Sequence, residues 1–294
     1  MKKIVTVNFG DKYIYLAVGE KAQGSLIIEK TKRISIEDDA GLHSFIAENK
    51  LKNSKALISL GGKQIVSRLV SMPEMPEKEL KAALNWETVK FFNTAYTKIT
   101  PEETVFDYEL FDIKENGEEK QQRIIVIAAR VQYVDVFCSQ IQRAGLNPAV
   151  VDVQGNLLGY FHQFSPELMS EEGIICSVCI HEGKGSLSFT LKNKSFFFHS
   201  FECERDINSK IATELPRVAS YLQRQYQLDA IQRIVLIGNN FERDTAEFLK
   251  EELALPLTSI KREDTKLQLL TDENEALLFE DYWFNLALLI RGAD

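Results

Sequence analysis

The chain has 294 residues, 45% of them hydrophobic, enough for two sizeable cores or one large divided one. Lysine and arginine number 35 against 43 aspartates and glutamates, a formal net charge of -8, and no run concentrates the positive charge. That balance excludes a nucleic-acid footprint and a polybasic attachment to acidic lipid, both of which need a basic face.

The start, MKKIVTVNFGDKYIY, has a basic tip, but Thr6, Asn8 and Asp11 interrupt its apolar run. It reads as a first core strand and not as the apolar stretch of a secretion signal. No stretch of the chain approaches the roughly 18 apolar residues of a membrane span. Three strand-like runs, IVTVNF, YIYLAV and SLIIEKTKRISI, are separated by the turn-prone GDK and GEKAQG and predict a meander. A helix follows at DDAGLHSFIAENK, with Leu42, Phe45 and Ile46 as its apolar stripe. The strand KALISLGG then leads through IVSRLVSMPEMP into a second helix. There Pro76 suits the first turn, Glu77 and Glu79 lie near the positive end of the helix dipole, and Leu80, Ala83, Leu84, Glu87 and Phe91 recur at helical spacing. Strands around TVFDYELFDI and RIIVIAAR, joined by the charged loop KENGEEK, complete a compact inserted strand-helix-strand-strand module over residues 56–130.

The next helix carries Val131, Val134, Phe137, Cys138 and Ile141 on one stripe and stops at Gly145, whose AGLNP context suits a left-handed cap. The strand AVVDV and the helical stretch around NLLGYF close the first half. IICSVCIHE, SLSFTLK and SFFFHSFE predict a second meander, followed by a long helix over residues 207–226 in which Pro216 is expected to introduce a kink or a division. A buried-type strand IVLIG, the helix TAEFLKEEL, the segment ALPLTSI and an apolar packing helix within ALLFEDYWFNLALLI complete the chain. Two halves that each open with a meander and then alternate helix and strand imply a duplicated α/β fold with a cleft between two lobes, the actin and sugar-kinase architecture, although the alternation also permits other α/β arrangements. On this reading residues 1–55 with 131–170 form the first lobe and 171–294 the second.

Four cysteines, Cys138, Cys176, Cys179 and Cys203, fit a reducing compartment. Cys176 and Cys179 are spaced as CxxC, but on an alternating strand they point to opposite faces, so they read as core thiols with no second ligand pair for a metal. His43, His162, His181 and His199 are widely separated and read as structural or surface histidines. No GxSxG, Walker A or GxGxxG sequence occurs, and no catalytic residue is assigned.

Several segments look familiar. ISLGGKQIVSRLVSMPEMPEKELKAALNWETVKFF, TVFDYELF, IIVIAARVQYVDVFCSQIQRAGLNPAVVDVQGNLLGYF and IQRIVLIGNNFERDTAEFLKEELALPL resemble, in order, the PilM family of type IV pilus assembly proteins, within the wider actin-like FtsA/PilM group. MPEMPEKELKAALNWE and QIQRAGLNPAVVDV carry most of that resemblance. It implies an actin-like (ASKHA, ribonuclease H-like) fold whose residues 56–130 form an FtsA-like inserted subdomain. It also implies a cytoplasmic scaffold, peripheral at the inner face of the cytoplasmic membrane, that binds the short cytoplasmic N-terminal segment of a PilN-like bitopic membrane protein. Cytoplasmic pilus motor or platform components and self-association are further implied contacts; nucleic acid and direct membrane insertion are not. The type II secretion protein GspL resembles the same group more distantly, and a GspL-like adaptor is an alternative.

Many members of the group bind ATP with magnesium between the lobes, which by this resemblance makes Gly10, Asp11, Lys12, Gly183, Lys184, Gly185 and Gly238 the candidate nucleotide contacts. The chain departs from that pattern at four places. Asn8 stands where the first hairpin carries a carboxylate, Cys179 and His181 replace an aspartate and a glycine of the second, Gln154 takes the place of a connecting acid, and Asn239 and Asn240 follow Gly238 where glycines are usual. Backbone amides around phosphate and carboxylates around magnesium are what such a site needs. The expectation is therefore a degenerate or empty cleft, no cofactor and no turnover, with a nucleotide-switched ATPase as the alternative. Asp11, Asp152 and Glu182 are the only acids near enough in sequence to orient a water. Met72, Met75, Trp86, Phe91 and Phe92, more soft and aromatic groups than one helix face needs, are candidates to line a groove for the partner peptide.

Overall fold

In the computed structural model, residues 3–22, 25–94, 98–116, 119–238, 240–265, 267–269 and 281–292 are described. The first run becomes β1 (Ile4–Phe9), buried on both faces from Val5 onward, because helices and strands cover it on either side. It pairs antiparallel with β2 (Tyr13–Ala22), which pairs with β3 (Ser25–Ser35) to make the expected meander. α1 (Asp39–Glu48) buries Leu42, Phe45 and Ile46 and is capped by Asp38, whose carboxylate accepts from Gly41 N at 2.8 Å.

β4 (Lys55–Leu60) lies parallel to β1 and parallel to β8 (Asn147–Val153), within a six-stranded sheet that includes β1–β3. This strand therefore belongs to the large sheet and not to the module expected over residues 56–130. The module contains instead β5 (Ile65–Pro73), a strand where the sequence predicts only a lead-in. The chain separates into two compact units, Gly62–Ser139 and the remainder.

In the smaller unit β5, β6 (Thr104–Asn116) and β7 (Glu119–Arg130) form an antiparallel sheet with β7 central. α2 (Glu77–Phe92) packs Leu80 and Leu84 against Ile124 and Val126 of that sheet. The charged loop between β6 and β7 shrinks to residues 117 and 118, which lie outside the described residues. α3 (Val131–Arg143) runs across the boundary of the units and ends in a cap of the expected kind. Gly145 adopts φ +96°, its N–H donates to Gln142 O, and Leu146 N–H donates to Ile141 O at 3.1 Å.

In the larger unit a short helix α4 (Gln154–Leu157), a 3-10 turn over Leu158–Phe164 and α5 (Pro166–Met169) follow β8. β9 (Ile174–His181), β10 (Lys184–Leu191) and β11 (Lys194–Glu202) then repeat the antiparallel meander, and β12 (Ile231–Ile237) and β13 (Leu257–Ile260) add parallel strands beside β9. The order β11-β10-β9-β12-β13 mirrors β3-β2-β1-β4-β8, so the duplication read from the sequence is present strand for strand. α6 (Ile207–Tyr226) is one continuous helix through Pro216, so of the two expected outcomes the division does not occur, and it buries Ile211, Leu215, Val218 and Leu222 on one stripe. α7 (Thr245–Leu253) joins β12 to β13.

The end of the chain returns to the first sheet. β14 (Leu267–Leu269) pairs with β3, and α8 (Trp283–Arg291) packs on β1, β2 and β4, so residues 171–294 do not all remain with the second sheet. Trp283 to Ile290 are all buried, in a core shared with Tyr15, Ala17 and Leu57 from one sheet and Ile175, Cys179, Val235 and Ile237 from the other. Residues 276–280 of the predicted last helix lie outside the described residues. Among the described residues no helix is long and apolar enough to cross a membrane.

Candidate functional site

The two meanders bring their first turns together. Gly10 N–H donates to Tyr13 O at 2.9 Å and closes the turn between β1 and β2. The turn between β9 and β10 has two residues, Glu182 at φ +49° and Gly183 at φ +74°, between the paired His181 and Lys184. Positive φ at both central positions is the type I′ pattern that matches strand twist, and asparagine or glycine usually fills the first of them. Here a glutamate does.

Its side chain reaches the opposite turn. Glu182 Oε2 accepts from Asp11 N–H at 2.6 Å and Lys12 N–H at 3.2 Å, and Oε1 accepts from the Tyr15 hydroxyl at 2.7 Å. The carboxylate lies flat against Gly10, where an added Cβ would stand 2.5 Å from Oε2. Lys184 and Asp11 form an ion pair beside it. Burial first, then the hydrogen bond and charge of Glu182, raise the Tyr15 hydroxyl far above its ordinary pKa, so it is a donor at every physiological pH.

Behind the turns the uncharged substitutes form their own network. Asn8 is fully buried, and its Oδ1 accepts from Ser59 Oγ at 2.5 Å and Gln154 Nε2 at 2.9 Å. With the oxygen so engaged, Asn8 Nδ2 faces His181 Nε2 at 3.3 Å and donates to a neutral ring. Burial lowers the His181 pKa against the opposing pull of Glu182, Asp281 and Asp11, which agrees with that neutral form. An aspartate at position 8 could accept from Ser59 and Gln154 but could not donate to His181. Cys179 is 1% exposed, and burial pushes its thiol up to about 12, so it carries no charge near neutrality.

The other predicted contacts are placed differently. Gly185 pairs with Phe201, whose ring would lie 2.1 Å from a Cβ there, so its small size serves cross-strand packing. Gly238, at φ +106°, faces the Trp283 indole at 2.8 Å from the same hypothetical atom. Asn240 donates to Ile180 O at 3.1 Å, and Asn239 lies outside the described residues. Asp152, one of the three acids able in principle to orient water, accepts from Arg291, Asn156 and Val153. Tyr15, Tyr282, His181 and Phe284 pack edge to face between the sheets, with ring centroids 4.9–5.5 Å apart.

A nucleoside triphosphate with magnesium, the ligand that an actin-like fold implies, does not fit these residues. The turn amides that would meet a phosphate already hold Glu182, Asp11 is paired with Lys184 and Asp152 with Arg291, and Trp283 covers Gly238. Among the described residues no group of three or more His, Cys, Asp or Glu is placed to hold a metal. The structure thus brings Gly10, Asp11, Lys12, Gly183 and Lys184 together, but around an internal carboxylate. Sequence reasoning leaves out Tyr15, Ser59 and Trp283, and names Glu182 only as an acid near enough to orient a water. The one local signal is the glutamate itself at a turn position that favours asparagine.

In the smaller unit the candidate groove residues divide. Met72, Met75 and Phe91 pack, partly buried, onto the Leu80–Leu84–Ile124–Val126 cluster, and Arg68 lies over the Phe91 ring at 5.9 Å. Phe92 is half-buried, whereas Trp86 is 67% exposed.

No protein-family model matches the sequence, and no curated protein matches it. Solved structures do resemble the fold. A chain of a PilM-PilN type IV pilus biogenesis complex matches with a TM-score of 0.76 and 16% identity, over 99% of this chain and 98% of that one. The cytoplasmic domain of EpsL, an inner-membrane component of the Vibrio cholerae type II secretion system, matches at 0.52 and 10% identity, over 98% and 93%. A Bacteroides thetaiotaomicron protein of unknown function with an actin-like ATPase fold matches at 0.51 and 10% identity, over 98% and 95%. With the mirrored strand orders of the two large sheets, these likenesses show that the chain has the actin-like α/β fold.

Proposed function

We propose that this chain is a cytoplasmic scaffold of a pilus or related secretion assembly complex, held at the inner membrane by a PilN-like single-span protein whose short cytoplasmic N-terminal segment it binds. The observation that carries the reading is the near full-length likeness, at a TM-score of 0.76, to a chain solved in a PilM-PilN complex. The filled turn site supports a scaffold that works without nucleotide turnover, since Asp11, Asp152 and Glu182, the acids that could hold magnesium or orient a water, are each engaged by other groups of the chain. The likeness to the EpsL cytoplasmic domain favours a second reading, an adaptor of a type II secretion system. The two differ in the partner and not in the chemistry of this chain.

Calorimetric titration of the purified protein with the cytoplasmic N-terminal peptide of a neighbouring PilN-like protein, with and without magnesium ATP, tests the proposal. Saturable peptide binding of equal affinity in both conditions is expected. Binding only when ATP is present would replace the scaffold by a nucleotide switch, and no binding in either would remove the PilN-like partner.

A further inference from the structure

We propose that Glu182 is an internal ligand that fills a small-oxyanion site on the opposite turn, so that the chain clasps its two sheets together without a diffusible anion. Three donors converge on this carboxylate from the β1–β2 hairpin: the turn amides of Asp11 and Lys12 and the hydroxyl of Tyr15 on β2. Successive backbone N–H groups aimed at one point make an anion-binding concavity, and a carboxylate presents the same kind of acceptor as one edge of a phosphate.

Both sides are shaped for the contact. Gly10 leaves room that a single methyl group would take away. Glu182 holds a left-handed backbone conformation, φ +49°, which is unfavourable for a long side chain and is offset by the bonds its carboxylate makes. Two more links cross the same gap, the Lys184–Asp11 ion pair and the Asn8–His181 hydrogen bond. The clasp thus joins residues about 170 positions apart and holds the turn of one meander on the turn of the other. Removing the side chain at 182 vacates an oxyanion site with Lys184, paired to Asp11, beside it, and its ligand class is inorganic phosphate or another small oxyanion. This inference does not rest on the choice of partner, so failure of the peptide titration leaves it standing.

Amide hydrogen exchange on the full chain, followed at Asp11 and Lys12 with and without inorganic phosphate, tests it. In the unsubstituted protein both amides exchange slowly and phosphate changes nothing. In Glu182→Ala they exchange about tenfold faster or more, the β5–β7 sheet is unchanged, and phosphate slows them again. Equal exchange in the two proteins would overturn the clasp. Phosphate acting on the unsubstituted protein as it does on the variant would show that Glu182 does not fill the site. Fast amides in the variant that ignore phosphate would overturn the oxyanion assignment. Should Glu182→Ala fail to fold, Glu182→Gln keeps the shape and removes the charge: several-fold faster exchange at both amides, with no response to phosphate because the side chain still fills the site, is then expected, and unchanged exchange would overturn the clasp.

Discussion

Gly10 and Glu182 are fitted to each other closely enough that each should tolerate change only when the other changes too. Gly10→Ala sets a methyl group 2.5 Å from Oε2 and should cost roughly 1–2 kcal/mol by displacing a charge-assisted contact. In a Glu182→Ala background the same substitution should cost close to nothing, because Gly10 has no positive φ to lose. A double-mutant cycle by chemical denaturation measures the coupling, and additive costs would mean that the carboxylate is not what the glycine makes room for. At this scale the sequence is legible in the positions it singles out: Asn8, Cys179 and Gln154, noted only for their difference from the resembled pattern, lie buried or half-buried around the turns. Where the surviving acid goes is not legible, because the Glu182 contacts exist only once two distant turns have been folded together.

Among the elements, α6 shows packing overriding local preference. Pro216 has no N–H to give to the Ala212 carbonyl, yet the helix runs on, held by the buried stripe of Ile211, Leu215, Val218 and Leu222 on both sides of it. Pro216→Ala should therefore stabilise the protein by about 1–2 kcal/mol, the helix gain less the proline's stiffening of the unfolded chain. A fall in the denaturation midpoint would instead mean that the ring fills space the alanine leaves empty. The meanders, α1, α2 and the glycine cap of α3 were all readable from period and turn chemistry. β5 was not, because Pro73 closes it with Pro76 just beyond and its alternation has apolar residues on both faces. As an edge strand ending at Pro73 it tolerates a residue that cannot donate. β4 was readable as a strand, but its place in the sheet depends on pairing across about fifty residues to β1 and about ninety to β8.

At the scale of the whole molecule, buried histidines set an acid limit on stability. His162 is 1% exposed with Nε2 on Ser177 at 2.8 Å, and burial pushes its pKa from 6.5 down to about 4. Above pH 6.5 neither state binds the proton. Below it the unfolded chain takes a proton that the folded ring refuses, so stability falls as the pH drops from 6.5 toward 4, by ~2 kcal/mol between pH 7 and pH 5 for this group. His181, lowered by burial as well, acts in the same direction. Denaturation midpoints across that window should show the decline, and His162→Gln should flatten part of it; an unaltered slope would place the proton elsewhere.

α8 carries a different consequence. Every strand of the two large sheets precedes Trp283 in the chain, yet Trp283 to Ile290 form the middle of their shared core. During translation the unit of residues 62–139 emerges whole and early, built from contacts between neighbouring segments. The inner face of β1 waits for α8, and that of β9, covered meanwhile only by the Leu158–Phe164 turn, stays partly open until about a hundred further residues have left the ribosome. The same helix that seals the finished protein therefore leaves its nascent form open to chaperones and to misassembly until late in synthesis.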